Sequence, residues 1–184
     1  MADAGCLPGP IPARRQGRFA VIRIEIANET TPGPANEDRW RAAVEDVLKR
    51  HGVARADVSL AVVDDATIHE LNRRFLDHDF STDVLSFVLE SSAGYLEGEI
   101  VASAETATRQ ARRLGWTAGD ELLLYIIHGA LHLVGFDDTT PKASAAMWAQ
   151  QRACLARFGL DLQDDRSENE SAEDDLIQGG SFSP

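Results

Sequence analysis

The sequence predicts an α+β fold: one domain in which a small, mixed four-stranded sheet is packed with helices. Three observations predict it. The chain has 184 residues, a length that favours a single domain with its own core. Apolar residues make up 43 %, the ordinary share for a globular chain. Their spacing switches repeatedly between period two and helical periods, giving the order β-α-β-α-β-β-α-α-α.

Each element has its own local reason. Phe19 to Ala27 is β-branched and alternates in places through Val21, Ile22, Ile24 and Ile26, which predicts a strand. Thr30 to Ala35 holds two prolines and a glycine and reads as a loop. Asn36 is a natural N-cap, with Glu37 and Asp38 in the first turn. Trp40, Val44, Val47 and Leu48 then recur at helical spacing until Gly52. Val58 to Val63 reads as a second strand. Asp64 and Asp65 lead into a short helix carrying Ile68, Leu71, Asn72 and Phe75. After a polar turn from Asp77 to Ser81, Asp83 to Leu89 predicts the third strand. Glu99 to Ala102 predicts the fourth, with turns at Gly94 and Gly98 between them. Ser103 caps a helix through Ala104, Ala107, Ala111 and Leu114 that ends at Gly115. Thr117 caps the next, Glu121 to Leu133, ended by Gly135, and Lys142 to Phe158 forms a last amphipathic helix.

The termini differ from this middle. Residues 1–17 form a Pro/Gly-rich leader expected to be disordered, and 161–184 an acidic tail, leaving 18–160 as the folded domain. Asp164 to Pro184 sets seven acidic residues against Arg166 alone, half of the formal net charge of −12. That balance argues against a general polyanion binder, but a phosphate track needs only a local basic groove. Met1 to Pro12 lacks a basic region followed by an apolar one, and the longest apolar run, Leu122 to Ile127, is far short of a membrane span. A cytoplasmic location follows as the expectation. Cys6 and Cys154 are too few and too scattered for a disulfide framework or a cysteine zinc site.

The stretch that carries chemistry runs His128-Gly-Ala-Leu-His132-Leu-Val-Gly135-Phe-Asp137-Asp138. Histidines four apart share one face of a helix and can converge on one ion. Gly135 can end that helix with positive φ and turn the chain back, bringing Asp138 or its neighbour Asp137 to close the set. The spacing favours Asp138 as ligand, with Asp137 supporting it. This is the metzincin logic of His-x3-His-x2-Gly-x2-His with a carboxylate as the last ligand, so the segment reads as a zincin-like metal helix. Three ligands leave a fourth position open, the mark of a catalytic site, where a water becomes acidic, with a pKa towards about 7. The glutamate base that peptidases place after the first histidine is replaced by Gly129, which disfavours a peptidase mechanism.

Three motifs in order then resemble one family. His128-Gly-Ala-Leu-His-Leu-Val-Gly-Phe-Asp-Asp138 resembles the YbeY signature His-Gly-x-Leu-His-Leu-x-Gly-Tyr-Asp-His. Leu71-Asn-Arg-Arg-Phe75 with Ser81-Thr-Asp-Val-Leu-Ser-Phe87 resembles its Leu-Asn-x-x-Tyr…Pro-Thr-Asp-Val-Leu-Ser-Phe, and Gly98-Glu-Ile-Val-Ala-Ser103 its Gly-Asp-Ile-Val-Ile-Ser strand. The motifs span roughly residues 60 to 140, within a resemblance over about 20 to 160. It implies a zinc-binding, single-strand-specific endoribonuclease with one zinc per chain. It further implies action on precursor ribosomal RNA, notably at the 3′ end of the small-subunit RNA, and in ribosome biogenesis. RNA and the small ribosomal subunit are then the expected partners, with no DNA and no membrane. Two departures stand out. Asp138 takes the place of the third histidine, a harder, anionic donor that makes the bound water less acidic and the choice of metal less fixed. Leu76 stands where the family usually has a catalytic arginine.

His128, His132 and Asp138 are therefore the expected metal ligands and catalytic residues. Thr82 and Ser86, near the ends of the third strand, could bond phosphate or support the ligands. Arg109, Arg112 and Arg113 form a cationic patch that could hold an RNA backbone. His51, His69 and His78 are expected at the surface or in turns, with His78 near enough to the third strand for an RNA contact. Two rival readings are a zinc hydrolase of another substrate and a non-enzymatic ribosome-assembly factor with a structural metal.

Overall fold

A computed structural model describes residues 21–30 and 36–161. The expected leader, the tail beyond Asp161, Phe19, Cys6 and most of the predicted Pro/Gly loop lie outside the described residues.

The elements follow the expected order. They are β1 (Val21–Asn28), α1 (Glu37–Arg50), β2 (Arg55–Val63), α2 (Asp65–Leu76), β3 (Val84–Ser92), β4 (Tyr95–Ser103), α3 (Ala104–Leu114), α4 (Ala118–Leu133) and α5 (Pro141–Arg157). The sheet order is β1-β2-β4-β3. β1 pairs parallel with β2 and β2 with β4, while β3 and β4 form an antiparallel hairpin. The α+β class and the mixed four-stranded sheet are as the sequence predicts. Side-chain caps start the helices at the expected places: Asn36, Asp64, Ser103 and Thr117 each accept from a backbone N–H in the first turn.

The hairpin is longer than expected. β3 runs on to Ser92 and β4 begins at Tyr95, so only Gly94, at φ +73°, makes the turn. Gly98, read from sequence as a turn residue, lies inside β4 opposite Val88, next to a bulge in β3. Packing requires it to be glycine. A Cβ there would fall 2.9 Å from Leu133 Cδ2 of α4 and 3.0 Å from the Phe87 carbonyl oxygen. Strand glycines of this kind mark close approach rather than reversal.

Alternation on the strands divides the interior in two. Val58, Leu60, Leu96 and Ile100 face the large core, while Val63, Leu85 and Val101 face the other way and meet Ile68 of α2. Helix α4 fills the middle of the large core. Leu122 to Ile127, Ala130, Leu131 and Leu133 are all buried, and the helix packs on α1, α3, α5, β3 and β4. An all-round apolar helix is what such a position demands. No helix among the described residues is long and apolar enough to cross a membrane.

Filling the space at Gly98 should be costly, because one neighbour is backbone. Gly98→Ala is expected to lower unfolding stability by about 1–3 kcal/mol, read as a shift in urea midpoint without a change in m-value.

Candidate metal centre

The last two turns of α4 and the loop after it build the centre. Gly135, at φ +93°, allows Gly135 N–H to bond the His132 carbonyl at 3.0 Å and Phe136 N–H to bond the Leu131 carbonyl at 3.0 Å. This is a Schellman ending, which satisfies the last helix carbonyls and reverses the chain. The Asp137 carboxylate then accepts from the backbone N–H of Asp138 and of Thr139, at 2.8 and 3.2 Å, and from the Thr139 hydroxyl. Asp137 is thereby used up in shaping the loop. Asp138 points back over the helix end.

Three donor atoms meet there. His128 Nε2 lies 3.0 Å from His132 Nε2 and 3.3 Å from Asp138 Oδ2, and the Asp138 oxygen is 3.8 Å from His132 Nε2. All three donors lie within 4.8 Å of one another, so one ion can reach them together. Of Asp137 and Asp138, it is Asp138 whose carboxylate lies within reach of both histidines.

The rings are held from behind. His132 Nδ1–H donates to the Phe136 carbonyl at 3.0 Å, which leaves its Nε2 lone pair for a metal. His128 Nδ1 lies 2.9 Å from the side-chain amide of Gln151 on α5. The sequence reading missed this partner. The one available signal was a polar residue on the apolar face of the last helix.

Electrostatics suit a cation. Burial pushes the His132 imidazole below its ordinary value, and the adjacent His128 adds to this, against the opposing pull of Asp138 and the Phe136 carbonyl. The hydrogen bond from His128 holds the Asp138 carboxyl below the usual range despite partial burial. A neutral imidazole beside an ionised carboxylate is the protonation state that divalent metals need. The donor chemistry therefore fits a divalent ion.

Gly129 has a structural reason. A Cβ there would lie 3.0 Å from both Ile100 Cγ2 and Val84 Cγ2, so this side of α4 is pressed onto the sheet. A peptidase glutamate at that position would start from a Cβ that presses on both side chains.

The ligands open into a cleft of about 1050 Å³. Thr82, Ser86, Arg109 and Arg113 line it with them, as do Leu76 and Phe80, whereas Arg112 and Asp137 do not. Arg109 is held in place. Its Nη1 donates to Asp65 Oδ2 at 2.8 Å and its Nη2 to Thr106 Oγ1 at 2.8 Å. The Asp65 carboxylate also accepts from the hydroxyls of Thr106, at 2.7 Å, and Ser103. Burial alone would raise the Asp65 pKa, but bonds from Ser103, Arg109 and Thr106 outweigh it and hold it low. Sequence reasoning saw Arg109 but not this anchor. Arg73 is turned aside to Glu70, and Arg74 lies over the Phe75 ring. His69 bonds Asp79 and His78 stacks on Phe80; neither reaches the ligand set, and His51 abuts the Phe136 ring.

Residues 25–159 match the family described as Endoribonuclease YbeY. A Moorella thermoacetica protein named Endoribonuclease YbeY is 45 % identical over 154 residues, covering 76 % of this chain and 99 % of that one. A Rhodopirellula baltica protein of the same name is 43 % identical over 126 residues, covering 67 % of this chain and 65 % of that one. A solution structure from Thermotoga maritima superposes with a TM-score of 0.52 at 29 % identity, over 72 % of this chain and 87 % of that one.

Two outcomes test the centre. Asp138→Ala should weaken zinc binding by more than about a hundredfold, beyond what loss of an outer partner costs, whereas Asp137→Asn, which keeps an acceptor for the loop, should retain the ion; chelator competition reads both. In chelator-treated protein, the lowered His132 value means that acid favours the unfolded chain, whose imidazole titrates near 6.5. The stability owed to the neutral ring is full above that pH and is lost as pH falls towards the folded value. His132→Gln should flatten that part of the stability profile, measured by urea unfolding across pH.

Proposed function

The chain belongs to the YbeY endoribonuclease family, and we propose that it is a zinc-dependent, single-strand-specific endoribonuclease acting on precursor ribosomal RNA. The 3′ end of the small-subunit RNA is its target in this reading, the small ribosomal subunit its partner, and the cytoplasm its place of work. One observation carries the proposal: His128, His132 and Asp138 share a cleft with two arginines, the Ser86 hydroxyl of β3 and the Thr82 hydroxyl of the loop before it.

One zinc per chain, held by those three residues, supplies a Lewis acid for a phosphoryl oxygen and makes a bound water acidic. The rest of the work falls to the protein. Arg109 presents a guanidinium whose orientation Asp65 and Thr106 fix, so little order is lost when it meets a phosphate. Arg113 adds a second positive charge one helical turn on. Ser86 offers a hydroxyl to backbone oxygens, and the Thr82 hydroxyl, which donates to Asp83 Oδ1 at 3.0 Å, would turn from it to do the same. Phe80, 40 % exposed at the cleft, presents an aromatic ring to an unpaired base. Leu76 contributes no charge, and the cations lining the cleft among the described residues are Arg109 and Arg113, besides the histidines. The close contact at Gly129 speaks against peptide hydrolysis by a glutamate base.

Cleavage of a single-stranded precursor rRNA fragment, measured beside metal content, tests this. His132→Ala should lose both zinc and cleavage. Arg109→Met should keep zinc and lower kcat/KM on the order of a hundredfold, as when one stabilising donor is removed. A wild-type protein that binds zinc, cuts no RNA and still co-sediments with ribosomes as His132→Ala would overturn the nuclease reading in favour of an assembly factor.

A further inference from the structure

Helix α5 turns Met147, Gln151, Cys154 and Leu155 inward, and all four are buried. Three of them are what an apolar stripe requires, and Gln151 is not. It is 3 % exposed, and a buried primary amide is costly unless its polar atoms are bonded. Its amide nitrogen as placed lies 2.9 Å from His128 Nδ1. The two ends of a glutamine amide have nearly the same shape, so rotation by half a turn puts Oε1 where Nε2 stands.

We propose that Gln151 is a positioning residue for His128: its amide oxygen accepts the Nδ1–H and so presents the Nε2 lone pair to the metal position. The proposal rests on His128, His132 and Asp138 being metal ligands. An imidazole can ligate through Nε2 only when its other nitrogen carries the ring proton. His132 meets this condition through the Phe136 carbonyl, which can only accept. Gln151 can do either. With its NH2 end towards the ring, Nδ1 becomes the acceptor and the proton moves to Nε2. That proton then lies between His132 Nε2, 3.0 Å away, and the Asp138 carboxylate, 3.3 Å away, and the three groups bond one another. With its oxygen towards the ring, His128 is a ligand. The orientation of one buried amide therefore selects between a histidine pair that binds an ion and one that binds itself.

Three variants test this: Gln151→Leu, which removes the polar end but suits the stripe, Gln151→Met as a second apolar version should the first fail to fold, and Gln151→Glu, which when ionised can only accept. Zinc affinity is read by competition with a chromophoric chelator, and thermal unfolding is followed on chelator-treated protein. The apolar variants should bind zinc about 10- to 100-fold more weakly with thermal unfolding unchanged or raised, and Gln151→Glu should restore parental affinity or exceed it. Parental affinity in the apolar variants, or equal weakening in Gln151→Glu, would overturn the role of Gln151 while leaving the ligand set intact. A parent protein that takes up no zinc would overturn the ligand set itself, and the role of Gln151 with it.

Discussion

The structure depends on how closely α4 lies against the sheet. At Gly129 the helix backbone comes so near β3 and β4 that a single added carbon would press on Val84 and Ile100, and at Gly98 the strand makes the reciprocal concession to Leu133. These two glycines let one apolar helix sit at the centre of the fold with its sides covered by α1, α3 and α5. Interiors packed at this density transmit small displacements. The residue beside Gly129 is His128, so the contact that fixes the depth of the helix also fixes the height of that imidazole above the sheet.

That arrangement explains why the two histidines differ in support. His132 lies at the end of the helix, where the Schellman turn brings a backbone carbonyl to its ring. His128 lies one turn earlier, where helix carbonyls are already engaged, and its outer partner has to come from another element. Helix α5 crosses at that level and supplies it. The loop beyond Gly135 is held by Asp137, so Asp138 owes its direction to a carboxylate that is not itself part of the donor cluster.

Much of this was legible in the sequence. The helix caps, the order of elements, the mixed sheet and the pairing of His128 with His132 follow from residue type and spacing, because caps and periodicity are local properties. The return of Asp138 towards the two histidines was legible because Gly135 states where the helix must end. What local reasoning cannot see is approach across sequence distance. Gly98 looked like a turn because glycine usually marks one, yet its reason is Leu133, far along the chain. The Asp65 anchor joins the start of α2 to α3, and the Gln151 contact joins α5 to α4. Each depends on helices meeting in space, and no spacing rule reports that. The net charge of −12 likewise averages over the chain and hides Arg109 and Arg113 in the cleft.

The three candidate ligands lie between positions 128 and 138, while the sheet joins strands far apart in the chain. The unfolded polypeptide consequently keeps its histidine pair and nearby carboxylate within easy reach of one another, and retains some affinity for the same ion. An ion stabilises a fold only to the extent that it prefers the folded chain. An ion bound at this cluster would therefore protect against unfolding by less than its affinity for the native protein would suggest, and the durability of the fold rests on the apolar packing of α4.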